Sequence, residues 1–149
     1  LDRKRTQCSL YKRSRYIQEF ISEINSKIRY NITLNSIYRQ SDWVILRSQS
    51  DSKRQQKHYD YVPTKELENT PNHEFPLAII LSLMNNTKLN IFPNDIEEIV
   101  ILNKGDMLIF RGDFAHAGSA YDEENIRLHC YIDNINISRV NNRTFILKE

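Results

Sequence analysis

The chain has 149 residues, 40% of them hydrophobic and 27% charged, with 21 basic side chains against 19 acidic ones. That is enough for one globular domain with a single core and too little for two. No run nears the ~18 apolar residues of a membrane span, the opening LDRKRTQCSLYKRSR lacks the apolar centre of a signal peptide, and Cys8 and Cys130 alone exclude a disulfide framework or a cysteine-based zinc site.

The expectation is a soluble intracellular protein, cytoplasmic or nuclear, with no membrane association and an open oligomeric state. It begins at Leu1 rather than Met, as a processed or longer parent chain would. Residues 1–15 carry Arg3, Lys4, Arg5, Lys12, Arg13 and Arg15 against Asp2, a net of +5 that leaves −3 for the rest of a chain totalling +2. Residues 1–14 therefore read as a basic N-terminal arm, either a solvated terminus or a grip for nucleic acid or an acidic partner. A single domain over 15–149 follows.

From Arg15 to Tyr30, Tyr16, Ile17, Phe20, Ile21, Ile24 and Ile28 recur on one side of a helix that should lie on an apolar surface. The period then changes. Asn31 to Tyr38 alternates loosely and Trp43 to Leu46 is a short apolar run, so two strands are expected before a serine-rich connection over Arg47 to Gln56. His58 to Val62 reads as a strand ending at Pro63, with His58 and Asp60 on one face and Tyr59 opposite. Residues 63–76, with three prolines, read as loop, and His73 as exposed within it. Leu77 to Met84, Thr87 to Phe92, Ile96 to Leu102, Met107 to Phe110, Ile126 to Ile132 and Thr144 to Leu147 are further apolar runs, and Gly112 to Gly118 is a loop holding His116. Eight or nine short strands after one helix point to a mainly β fold, an antiparallel sandwich or jelly roll.

Two imidazoles and a carboxylate, His58, His116 and Asp60, would bind one face of a metal and leave the opposite positions open, a set suited to ferrous iron. Strand alternation sends Arg127, His129 and Tyr131 to one face and Ile126, Leu128, Cys130 and Ile132 to the other. If the apolar set meets the helix, Arg127 faces the interior and calls for an anion such as a dicarboxylate, which a guanidinium grips through two parallel hydrogen bonds. Each residue has a plainer reading as well. His58 and Asp60 could be a surface strand pair, His116 the cap of a tight loop, Arg127 a partner of Asp122, Glu123 or Glu124, and Tyr59, Tyr61 and Tyr131 packing rather than pocket donors.

His58-x-Asp60, Gly105-Asp106 ahead of a strand, His116 in His-Ala-Gly and Arg127 in Asn-x-Arg-Leu-His, taken in this order, resemble the 2-oxoglutarate and Fe(II)-dependent dioxygenases, nearest to their prolyl-hydroxylase-like branch. The resemblance covers roughly Trp43 to Asp133. It implies a double-stranded β-helix, a distorted jelly roll, with a supporting N-terminal α-helix. It implies Fe(II) on His58, Asp60 and His116, and 2-oxoglutarate held through its distal carboxylate by Arg127, with His129 and Tyr131 in the same pocket. Dioxygen would be the co-reactant, ascorbate a possible reductant, and succinate and carbon dioxide the products accompanying hydroxylation of a C–H bond. Many relatives have a hydroxyl residue two places beyond the arginine where this chain has His129, and the segment before His58 lacks their common glycine.

Three functions fit these residues: an oxygenase acting on a protein side chain, which the layout favours; an oxygenase acting on nucleic acid, with the basic arm on phosphates; and a non-catalytic jelly-roll interaction subunit.

Overall fold

A computed structural model describes residues 3–10, 14–139 and 144–147; Lys12 and Arg13 of the basic stretch lie outside them. The described residues form two antiparallel sheets and few helices. Strand β10 (Asn125–Asn134) is the axis of the first sheet, ten residues uninterrupted by glycine or proline. On one side it pairs with β3 (Val44–Ser48) and, further along, with β2 (Tyr38–Gln40); on the other it pairs with β5 (Leu77–Ser82). Strand β1 (Arg5–Ser9) lies outside β3, and β8 (Met107–Arg111) outside β5. The second sheet runs β11 (Phe145–Ile146), β4 (His58–Tyr59), β9 (His116–Gly118), β6 (Thr87–Ile91) and β7 (Glu98–Leu102).

Helix α1 (Arg15–Asn31) buries Ile21, Ile24 and Ile28 in one core cluster with Trp43, Ile79, Leu81, Leu128, Cys130 and Ile132 of the first sheet. One polar group crosses this contact with its bonds satisfied: Asn25 Oδ1 accepts from Trp43 Nε1 at 3.1 Å and from Gln40 Nε2 at 2.8 Å. The Asn31 amide then donates to Lys27 O, closing the last turn. Tyr16 is 82% exposed and Phe20 43% exposed, so the buried stripe is narrower than the periodicity suggested, although Ile17 in the first turn still packs against the core.

Several sequence expectations need correction. The basic arm expected over residues 1–14 contributes Arg5–Ser9 to the first sheet as an edge strand ahead of the helix, because its alternating side chains match β3 from Arg5↔Ser48 to Ser9↔Val44. With it, eleven strands lie among the described residues rather than eight or nine. No strand covers 31–37; pairing begins at Tyr38, after Asn35 turns the chain by accepting from Ile37 N. Pairing in β4 stops at Tyr59, short of the expected Val62. Residues 63–76 are more than loop: Thr64 Oγ1 caps the short helix α2 (Lys65–Glu68), and Leu67 and Phe75 are buried with Tyr61 and Ile137. His73 is exposed, as expected.

Candidate metal centre

Strands β4 and β9 are neighbours in the second sheet, and their register sets His58 directly opposite His116. Their rings lie 4.5 Å apart, centroid to centroid, and the edge of Phe110 packs against His116 at 4.9 Å. His116 therefore sits on a strand, not in the loop expected for it. Asp60 follows where the chain bends out of β4, and Gly112 permits that bend: a Cβ there would lie 2.2 Å from the ring of Tyr61. One ligand atom from each of His58, Asp60 and His116 lies within 4.8 Å of the others, and all three residues are buried.

Hydrogen bonds set what each group can do. His58 Nδ1 meets Gln56 O at 2.7 Å and His116 Nδ1 meets Phe114 O at 2.9 Å. A carbonyl only accepts, so each Nδ1 carries a proton, and either ring in its neutral form keeps the Nε2 lone pair for a ligand. Burial, and secondly His116, lower the pKa of His58, favouring that neutral form. Asp60 Oδ2 is buried, accepts no hydrogen bond, and stands 3.5 Å from His116 Nε2. A buried carboxylate oxygen without a donor is costly. A divalent cation held by Asp60 and the two Nε2 atoms would offset that cost, and this donor set suits iron with positions left open for other ligands.

The opposite wall comes from β10. Leu128, Cys130 and Ile132 join the helix core, as alternation requires, while Arg127, His129 and Tyr131 turn to the other face. Arg127 is buried, donates to Ser48 Oγ at 3.2 Å, and lies 5.5 Å over the Tyr121 ring. Burial, with the charge of Arg5, pulls its pKa down from the ordinary value. None of the carboxylates considered for it is its partner among the described contacts, Glu124 taking Arg47 at 2.6 Å; nor is Asp133 at the end of the same strand, which takes Arg139 at 2.8 and 3.1 Å together with the hydroxyl of Tyr61. His129 is driven down to about 4, first by burial, and so adds no positive charge near neutral pH. Tyr131 packs edge-on against His129, 4.5 Å between centroids, under the Arg139 guanidinium; its phenol is held neutral by burial and by the charge of Asp60.

Sequence reasoning missed Ser48, Arg5, Phe110 and the Asp133–Arg139 pair. Pairing of strands distant in sequence brings Ser48 and Arg5 here, so no local signal marks them; the Asp133–Arg139 pair spans only six residues, where an Asp and an Arg in a polar segment are ordinary.

Fold and site together define an antiparallel β protein with a buried two-histidine, one-carboxylate cluster facing a buried arginine. Among solved structures, a prolyl-4-hydroxylase from Pseudomonas putida matches with a TM-score of 0.64 at 11% identity, over 87% of this chain and 71% of that one. A prolyl hydroxylase from Trichoplax adhaerens, in complex with a peptide fragment of the hypoxia-inducible factor oxygen degradation domain, matches with a TM-score of 0.62 at 14% identity, over 89% of this chain and 64% of that one, less than two thirds of its length. HygX from Streptomyces hygroscopicus, with nickel and 2-oxoglutarate bound, matches with a TM-score of 0.64 at 8% identity, over 88% and 70%. No protein-family model matches the sequence, and no curated protein matches it significantly. The chain thus has the fold of prolyl-hydroxylase-like oxygenases.

Proposed function

We propose that the protein is a 2-oxoglutarate- and Fe(II)-dependent dioxygenase that hydroxylates a C–H bond of a protein side chain and releases succinate and carbon dioxide. Its frame would be a double-stranded β-helix, with α1 as the supporting helix behind the first sheet. The observation that carries the reading is Asp60 Oδ2, buried without a hydrogen bond beside two imidazoles whose protons are both committed to backbone carbonyls. His58, Asp60 and His116 would hold the metal, and Arg127, with no carboxylate on it, would hold the distal carboxylate of 2-oxoglutarate. His129 and Tyr131 would line the same pocket.

Bound iron supplies the activation of dioxygen that couples decarboxylation of 2-oxoglutarate to oxidation of an unreactive C–H bond. The chain's own residues do the rest. Gln56 O and Phe114 O fix the imidazole tautomers, Phe110 shields His116 from water, and Tyr131, braced by Arg139, stands beside Asp60.

A protein substrate is favoured by the peptide-bound relative among the structural matches. Two of the N-terminal cations support the same choice. Lys4 reaches Ser50 O and Asp51, and Arg5 reaches the carbonyls of Lys53, Gly118 and Ser119, so both serve the fold rather than a phosphate backbone.

Anaerobic calorimetry of the full chain with Mn(II), with and without 2-oxoglutarate, tests the reading, followed by a succinate assay with Fe(II) in air. Metal-dependent binding of 2-oxoglutarate and slow succinate formation without substrate are expected, and gain of one oxygen by a proline-containing peptide would place the substrate class. A folded sample that binds no metal would overturn the proposal.

A further inference from the structure

Ser48 ends β3 fully buried, in one cross-strand row with Arg5 on β1 and Asn125 on β10. Its Oγ accepts from Arg5 Nη1 at 3.0 Å and from Arg127 Nη1 at 3.2 Å. A serine hydroxyl has two lone pairs and one proton. The two guanidinium groups use both lone pairs, so Ser48 can act further only as a donor, and its proton meets no acceptor among the described residues.

Arg5 is fixed in this posture from behind. Its Nη2 donates to Lys53 O at 2.7 Å, to Gly118 O at 3.3 Å and to Ser119 O. Gly118 makes the approach possible: a Cβ there would stand 2.9 Å from Arg5 Nη1 and 2.4 Å from Gln55 Oε1. The edge strand β1 thereby presses a second positive charge toward Arg127.

We propose that Ser48 donates its hydroxyl proton to the distal carboxylate of bound 2-oxoglutarate alongside Arg127, and that Arg5 is a positioning residue that enforces this polarity. The inference rests on the 2-oxoglutarate reading above. It supplies from β3 the hydroxyl contact that position 129, a histidine here, does not offer. Two donors at one end, the Ser48 hydroxyl and the Arg127 guanidinium, make the pocket selective for a 2-oxo acid that carries a distal carboxylate.

The test is calorimetry on the Mn(II)-loaded full chain with two probes, 2-oxoglutarate and 2-oxopentanoate, which has the same 2-oxo acid head and no distal carboxylate. Ser48→Ala is expected to weaken 2-oxoglutarate about tenfold or more, as loss of a hydrogen bond to a charged group does, with Mn(II) and 2-oxopentanoate affinities unchanged. Arg5→Gln is expected to weaken 2-oxoglutarate severalfold, and to cost nothing further once Ser48 is alanine, the coupling of a residue that acts through another.

Three results would overturn the proposal: 2-oxoglutarate affinity of Ser48→Ala within about twofold of wild type while Arg127→Ala loses it, equal losses for both probes, or an Arg5→Gln effect undiminished in the Ser48→Ala background. Retained Mn(II) binding reports that each variant is folded. Should Ser48→Ala fail that check, Arg5→Gln decides alone by whether 2-oxoglutarate weakens while 2-oxopentanoate does not. Wild-type protein that takes Mn(II) but not 2-oxoglutarate would instead sink the underlying reading, and Ser48's role with it.

Discussion

A carboxylate oxygen that is buried and receives no hydrogen bond, as Asp60 Oδ2 is, leaves the metal-free fold less stable than an amide would at the same place. Asp60→Asn removes the charge and keeps the shape. In urea unfolding of metal-free protein it should raise stability by about 1–2 kcal/mol, the scale of an unsatisfied buried polar group, while abolishing the stabilisation that Mn(II) gives the parent. A metal-free protein destabilised by Asp60→Asn would mean that the carboxylate is already satisfied. Two-residue spacing made His58 and Asp60 legible in the sequence, and residue type together with strand alternation did the same for Arg127. Ser48 and Arg5 carry no such mark, since a serine beside an arginine in a polar segment is ordinary until the register of β1, β3 and β10 is known.

At the scale of elements, α1 shows how far periodicity reaches. The apolar recurrence located the helix within a residue of its end, but it could not tell which apolar side chains lie over the sheet. Ile28, 1% exposed, clusters with Trp43 and with Leu128, Cys130 and Ile132 on the helix side of β10; Tyr16, on the same helix, is in water. Ile28→Ala should therefore cost about 2–5 kcal/mol, a deleted core side chain with a cavity left behind, and Tyr16→Ser less than about 0.5 kcal/mol. Chemical denaturation of the two variants checks both, and similar losses would mean that the stripe is as wide as the sequence suggested. Strand ends were less legible than the helix because pairing decides them. β4 keeps only His58 and Tyr59, its neighbours being the short β9 and β11, and β1 exists only because β3 offers it an edge.

For the whole molecule, the question is whether the metal cluster and the helix core open together. Cys130 lies in that core, and burial pushes its thiol up to about 12, so at pH 8 it is neither ionised nor reachable in the folded chain. Cys8 is exposed on edge strand β1. Alkylation followed by mass spectrometry should thus modify Cys8 readily and Cys130 only through opening of the fold. The cluster on β4 and β9 faces β10, whose other side holds Cys130, so an opening that exposes the thiol by moving this strand also opens a wall of the candidate metal pocket. If one cooperative unit contains both, a ligand that binds only the closed state lowers the open population by the factor 1 + [L]/Kd. Mn(II) at about a hundred times its Kd should slow Cys130 labelling about a hundredfold and leave Cys8 unchanged, with no adjustable quantity between the two numbers. A Cys130 rate indifferent to Mn(II), in protein that binds it, would mean that α1 lifts from the sheet on its own and that the metal cluster stays closed beneath it.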